Sequence, residues 1–111
     1  MPNQAHGQVL ITGAVGGLGT AMVQRLLQEG HTMIACDRNV EAAGAWLEQI
    51  PAEHQARVSF HPLDVTKEDQ VDALAHELQS QGIHIAYLIN NAGIFGAGTE
   101  SQVWERTLRV N

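Results

Sequence analysis

The sequence has one cysteine, Cys36, so no disulfide can form within the chain and no paired-cysteine metal site exists. Basic residues are scarce, with 6 Lys and Arg against 12 Asp and Glu. The formal net charge of −6 excludes the basic stripe that a nucleic-acid partner requires. No apolar run approaches the ~20 residues of a membrane span. The opening residues, Met1 to Gly7, lack the basic and then apolar order of a secretory signal. The 6 histidines fall at no metal-ligand spacing; His61, His76 and His84 read as surface or loop residues. These absences leave a cytoplasmic protein with no membrane and no nucleic-acid partner as the expectation. The 111 residues suffice for one small domain with a core.

What the chain does contain is an alternation of short apolar runs and amphipathic segments. Gln8 to Thr12 reads as a first strand, and Gly17 to Glu29 as a helix stopped by Gly30. Its apolar face is drawn from Leu18, Met22, Leu26 and Leu27. Thr32 to Cys36 reads as a buried parallel strand, in which Cys36 is inert. Val40, Ala43, Leu47 and Ile50 recur at helical spacing ahead of Pro51. Val58 to Phe60 makes a third strand. Thr66 is a candidate N-cap, with Val71, Leu74, Ala75 and Leu78 on one face and Gly82 as the stop. Ile83 to Ile89 is a fourth strand, Gly93, Gly96 and Gly98 form a loop, and a last helix starts near Thr99 to Ser101. Trp46 and Trp104 fall in helical patterns and read as packing residues. Strands alternating with helices predict a parallel sheet with right-handed crossovers.

The join between first strand and first helix carries the most chemistry. It reads Thr12-Gly13-Ala14-Val15-Gly16-Gly17-Leu18-Gly19. Gly13 lets the chain turn sharply. Gly17 removes a side chain where a pyrophosphate must approach the backbone. Gly19 lets the helix pack closely on the sheet. Free N–H groups and the positive end of the helix dipole then face the phosphates. Such a turn can also exist with no ligand.

The spacing Thr-Gly-x-x-x-Gly-x-Gly resembles that of the short-chain dehydrogenase/reductase family. Asn90-Asn91-Ala92-Gly93 is similar to the family's asparagine motif. Asp64-Val65 is similar to its acidic turn, and Trp104 to Asn111 to the helix ending on its catalytic asparagine. The resemblance covers essentially the whole chain. It implies a Rossmann-type doubly wound α/β sheet of strand order 3-2-1-4, here its N-terminal half. It also implies an oxidoreductase moving hydride between a nicotinamide dinucleotide and an alcohol or carbonyl substrate.

On this resemblance Thr12, Gly13, Val15, Gly16, Gly17, Leu18 and Gly19 hold the cofactor's pyrophosphate. Asp64 and the Val65 amide meet the adenine, and Asn91, Ala92 and Gly93 lie near the ribose. Asp37, ending the second strand, can accept from both adenosine ribose hydroxyls and repels a 2′-phosphate, which predicts NAD. Arg38 beside it could hold a phosphate or stack on adenine, so NADP stays open. Asp37 can also be read as a turn or cap aspartate, and Asp64 as a strand-end aspartate ahead of a helix cap.

The family's catalytic pair is Tyr-x-x-x-Lys. Here the one tyrosine, Tyr87, follows the one lysine, Lys67, so the pair cannot form. Tyr87 reads as a sheet residue. The chain therefore reads as a cofactor-binding domain, residues 1–111, cut before the catalytic segment and inactive alone. Asn111 matches the proton-relay asparagine. A non-catalytic dinucleotide-binding or redox-sensing module, or an inactive fragment, is the alternative. Ile85, Tyr87, Leu88 and Ile89 leave the fourth strand's outer edge apolar. Val103, Trp104, Leu108 and Val110 have little to pack against, and together these predict a homo-oligomer.

Overall fold

A computed structural model of the chain describes residues 8–92. The expected last helix, with Trp104 and Asn111, and the glycine loop from Gly93 lie outside the described residues. Strands β1 (Gln8–Thr12), β2 (Thr32–Asp37), β3 (Val58–Pro62) and β4 (Ile85–Asn90) form one sheet of order β3-β2-β1-β4. All three pairings are parallel: Leu10 lies opposite Ile34 and Leu88, and Ala35 opposite Phe60. This is the expected 3-2-1-4 order of a Rossmann-type half.

Helices α1 (Gly17–Gln28), α2 (Ala43–Glu48) and α3 (Glu68–Ser80) connect the strands. Alternation along β1 and β2 decides which face each helix covers. Val9, Ile11, Met33 and Ala35 point to one face, where Val23 and Leu27 of α1 and Trp46 of α2 bury against them. Leu10, Ile34 and Cys36 point to the other, against Val71, Leu74, Ala75 and Leu78 of α3. Apolar residues on both faces of a strand require helices on both sides of the sheet, which is why β1 and β2 read as continuous apolar runs.

Four boundaries differ from the sequence expectation. The segment from Val40 to Ile50 is split into a 3₁₀ turn, Val40–Ala42, and the short α2. Asn39 accepts from the Ala42 amide at 3.2 Å and tightens the first turn, and Gly44 lowers the helix propensity of α2. A second 3₁₀ segment, Ala52–Arg57, runs into β3, which extends two residues past Phe60 to Pro62. His61 is therefore a half-buried strand residue, hydrogen-bonded to Ser59 at 3.1 Å, whereas His76 and His84 are exposed. The N-cap position of α3 is Lys67, with no side-chain cap bond. Thr66 does not cap: its hydroxyl and amide both donate to Asp64 Oδ1, at 2.6 and 3.0 Å. Finally, Ile83 lies in the turn that closes α3, its amide donating to the Leu78 carbonyl at 3.0 Å, and β4 begins at Ile85.

The apolar face of α1 is also displaced. Gly19, Val23 and Leu27 are its buried residues at four-residue spacing, Val23 and Leu27 against the sheet, and Met22 and Leu26 flank them. Leu18 is 67% exposed. Arg57 closes this helix from a distance. Its guanidinium donates to the carbonyls of Leu27 (2.9 Å) and His31, which face the negative end of α1.

Candidate functional site

The C-terminal ends of β1, β2 and β4 lie side by side, because Thr12 pairs with Cys36 on one flank and Asn90 on the other. The segments after these strand ends, together with the turn after β3, meet at one edge of the sheet. In parallel sheets this is where ligands bind. A cleft of about 190 Å³ opens there, lined by Gly13, Asp37, Arg38, Leu63, Asp64, Val65 and Ala92. Of these, Leu63 alone carries no signal in the sequence. Its amide donates to the Asp37 carbonyl at 3.0 Å, and its buried side chain forms the floor.

The glycines of the turn have different causes. Gly13 sits at φ +69°, and a Cβ there would lie 2.8 Å from the Asn91 carbonyl oxygen and 2.9 Å from the Ala92 Cα. A left-handed backbone pressed against the end of β4 admits no side chain. Gly19 faces the turn itself: a Cβ would strike the Gly13 carbonyl oxygen and come within 2.9 Å of Ala14. Gly17 differs, because among the described residues nothing lies within 4 Å of where its Cβ would be. The protein interior does not require glycine at this position.

Helix α1 begins here without a cap. Its N-cap residue, Gly16, has no side chain to offer, and no acidic residue occupies the first turn. The positive end of the helix dipole therefore opens on the exposed stretch Gly16-Gly17-Leu18. An anion has room beside Gly17 and amide donors to meet it, so the residues fit a phosphate-bearing ligand.

The turn is held by polar contacts from behind. Thr12, fully buried, accepts from the Asn91 amide at 3.0 Å, and the Asn91 side-chain amide donates to the Gly13 carbonyl at 3.2 Å. Asp37 Oδ2 accepts from the Val15 amide at 3.0 Å, and Oδ1 from the Asn39 amide at 2.8 Å. Asp37 is thus a turn aspartate that also lines the cleft. Asp64 combines the same two features. The Thr66 hydroxyl, then the Thr66 amide, hold its carboxyl below the usual carboxylate range, with smaller help from Lys67 and Arg38. Gln70 accepts from the Asp64 amide at 2.9 Å and steadies the turn.

Thr20 bonds this loop and Trp46 bonds Thr20, pairings with no local sequence signal. The Trp46 indole N–H donates to Thr20 Oγ1 at 2.9 Å, across a separation of 26 residues. Cys36 is buried below the loop. Burial, and next the Asp37 carboxylate, push its thiol far up, which removes it as a nucleophile. Lys67 precedes α3 and Tyr87 lies on β4, its ring edge-on to His31 with centroids 6.1 Å apart. The two do not form a tyrosine–lysine pair of the required spacing. Gly93 and Asn111 lie outside the described residues. Among the described residues no cluster of His, Cys, Asp and Glu could hold a metal ion, and no helix is long and apolar enough to cross a membrane.

Comparison with known proteins identifies the family. The short chain dehydrogenase family profile matches residues 7–111. The chain is 33% identical to 3beta-hydroxysteroid dehydrogenase 2 of Eggerthella lenta, over 99% of this chain and 44% of that protein. It is 38% identical to 3beta-hydroxysteroid dehydrogenase of Mediterraneibacter gnavus, over 93% of this chain and 39% of that protein. Among solved structures, ElxO with NADP bound superposes with a TM-score of 0.70 at 25% identity, covering 91% of this chain and 42% of that one. The chain thus spans less than half the length of these relatives. Profile, relatives and sheet order agree: the chain belongs to the short-chain dehydrogenase family.

Proposed function

We propose that this chain is the dinucleotide-binding portion of an NAD(P)-dependent oxidoreductase that acts on an alcohol or carbonyl substrate. The observation that carries the reading is the cleft at the strand ends, continuous with an uncapped helix N-terminus whose Gly17 leaves room for a phosphate. In this reading the amides of Gly16, Gly17 and Leu18 receive the pyrophosphate. Val15 and Gly19 shape the turn, and Thr12 and Gly13 fasten it to β4. Asp37 accepts from the adenosine ribose, and Asp64 and Val65 receive the adenine edge. Asn91, Ala92 and Gly93 wall the ribose on the β4 side. The dinucleotide supplies the hydride donor or acceptor; the residues named here bind and orient it. Asn111 is proposed as a relay residue, and the acid/base pair is expected from sequence beyond these 111 residues. Without that pair the chain binds but does not turn over. We further propose that the protein is a homo-oligomer.

Asp37 favours NAD, because a 2′-phosphate would face its carboxylate in the cleft. A second reading, NADP, is favoured by Arg38 in the same cleft and by the NADP bound in ElxO. Calorimetric titration with NADH and NADPH separates them: tighter NADPH binding overturns the NAD preference. The same titration on Gly17→Val tests the site. The variant is expected to keep its circular dichroism and lose binding. Unchanged affinity in a folded Gly17→Val protein would remove the glycine turn as the phosphate site.

A further inference from the structure

We infer that Thr20 and Trp46 form a positioning relay that sets the direction of the glycine-loop amides. The inference rests on the reading of that loop as the phosphate site. Thr20 Oγ1 lies 3.2 Å from the Ala14 carbonyl oxygen and 3.2 Å from the Val15 carbonyl oxygen. It also accepts the Trp46 indole N–H at 2.9 Å. The indole nitrogen can only donate. It therefore occupies a lone pair of the hydroxyl and leaves the hydroxyl proton for the two carbonyls.

The consequence comes from peptide planarity. In a trans peptide the C=O and the next N–H point in opposite directions, and no cis peptide occurs among the described residues. Holding the Val15 carbonyl inward, toward Thr20, turns the Gly16 N–H outward, toward the mouth of the site. Holding the Ala14 carbonyl inward turns the Val15 N–H toward Asp37 Oδ2, where it is found at 3.0 Å. The Ala14–Val15 peptide is thus gripped at both ends, by Thr20 and by Asp37. A loop containing Gly16 and Gly17 has the freedom to rotate these planes, and the relay removes it.

Trp46 suits this role because it is packed into the core. It is 3% exposed, packs against Phe60 with ring centroids 6.4 Å apart, and belongs to the core cluster on the α1 side of the sheet. The position of α2 against the sheet is therefore coupled to the loop through one hydrogen bond. Neither side chain lines the cleft, so both act through the loop.

The test uses Trp46→Phe, Thr20→Val and Thr20→Ser in the full chain, with two readouts. The first is exchange of the Val15 amide in the ligand-free protein, measured by NMR. It is expected to quicken about fivefold in Trp46→Phe and Thr20→Val, and to stay near wild type in Thr20→Ser, which keeps the hydroxyl. The second is binding. NADH affinity is expected to fall about fivefold in the first two variants, while adenosine, which carries no phosphate, binds them as it binds wild type. Unchanged Val15 exchange in both Trp46→Phe and Thr20→Val overturns the relay, whatever the ligand does. Altered exchange with equal loss of NADH and adenosine binding also overturns it, since the effect would then be general loosening. A wild-type chain that binds no dinucleotide overturns the reading of the site instead, and the exchange data still decide the relay.

Discussion

Alanine at Gly17 and at Gly19, two residues apart in one turn, is expected to have opposite effects on stability. At Gly17 the new methyl meets nothing within 4 Å among the described residues, and the backbone is not left-handed. Restricting the unfolded chain there stabilises by about 0.4–1 kcal/mol. At Gly19 the methyl would overlap the Gly13 carbonyl oxygen and sit 2.9 Å from both the Cα and the carbonyl oxygen of Ala14. Those are backbone atoms of a turn fastened to β2 through the Ala14 amide and the Cys36 carbonyl, at 3.1 Å, so they cannot swing aside. Overpacking against a fixed backbone costs about 3 kcal/mol, a large part of the 5–15 kcal/mol that a domain possesses. At roughly 4–8 °C per kcal/mol for a domain of this size, Gly17→Ala should melt a few degrees higher than wild type, and Gly19→Ala at least ~12 °C lower. Thermal unfolding monitored by circular dichroism reads both. A Gly19→Ala protein as stable as wild type would refute the close helix-to-turn packing. A Gly17→Ala protein that melts lower would mean that the space at Gly17 is filled.

The cofactor titration and the Thr20–Trp46 relay carry their own tests, and two further outcomes are expected. Arg57→Met keeps the apolar stem but removes the donors to Leu27 and His31, and with them the closure of α1; it should cost about 1–3 kcal/mol. An unchanged melting temperature would exclude that role. The Asp64 carboxyl should titrate below the ordinary aspartate value of about 3.9. Because folding favours its charged form, its contribution to stability is present above the ordinary value and is lost as pH falls through the folded one. Thr66→Val should raise the midpoint measured by carboxyl NMR; no movement would exclude the Thr66 hydroxyl as the main cause.

The parallel sheet, the helices on both faces and the glycine turn were legible because each leaves a local mark, whereas the strand order came with the family resemblance. Apolar runs such as Leu10-Ile11 and Met33-Ile34-Ala35-Cys36 can be buried on both faces only between helices. Much of the site was legible for the same reason, since Asp37, Asp64 and Ala92 each lie at or just after a strand end. The errors have physical sources. Thr66 is a good capping type at a helix start, but an aspartate two residues earlier competes for its hydroxyl, and that geometry won. Leu18 has the same four-residue spacing as Met22 and Leu26, yet the buried row is Gly19, Val23 and Leu27, one position round the helix. A glycine can be the tightest contact of a helix, and hydrophobicity does not register it. Trp46 was legible as a packing residue, but its bond to Thr20 and those of Arg57 to Leu27 and His31 were not, because these partners lie 26 or 30 residues apart.

A glycine motif of this kind is commonly read as three residues serving one ligand. In this molecule two of the three are fully accounted for by the protein's own backbone. Gly13 is required by the end of β4 and Gly19 by the turn, and both would be required in a protein that bound nothing. Substituting either one tests the fold. The proposed phosphate site rests on Gly17, where glycine stands at the exposed mouth of an uncapped helix with no neighbour among the described residues to forbid a side chain. Glycine at the start of a helix costs conformational entropy that alanine would not, and a glycine that no described neighbour forces fits the phosphate site proposed above.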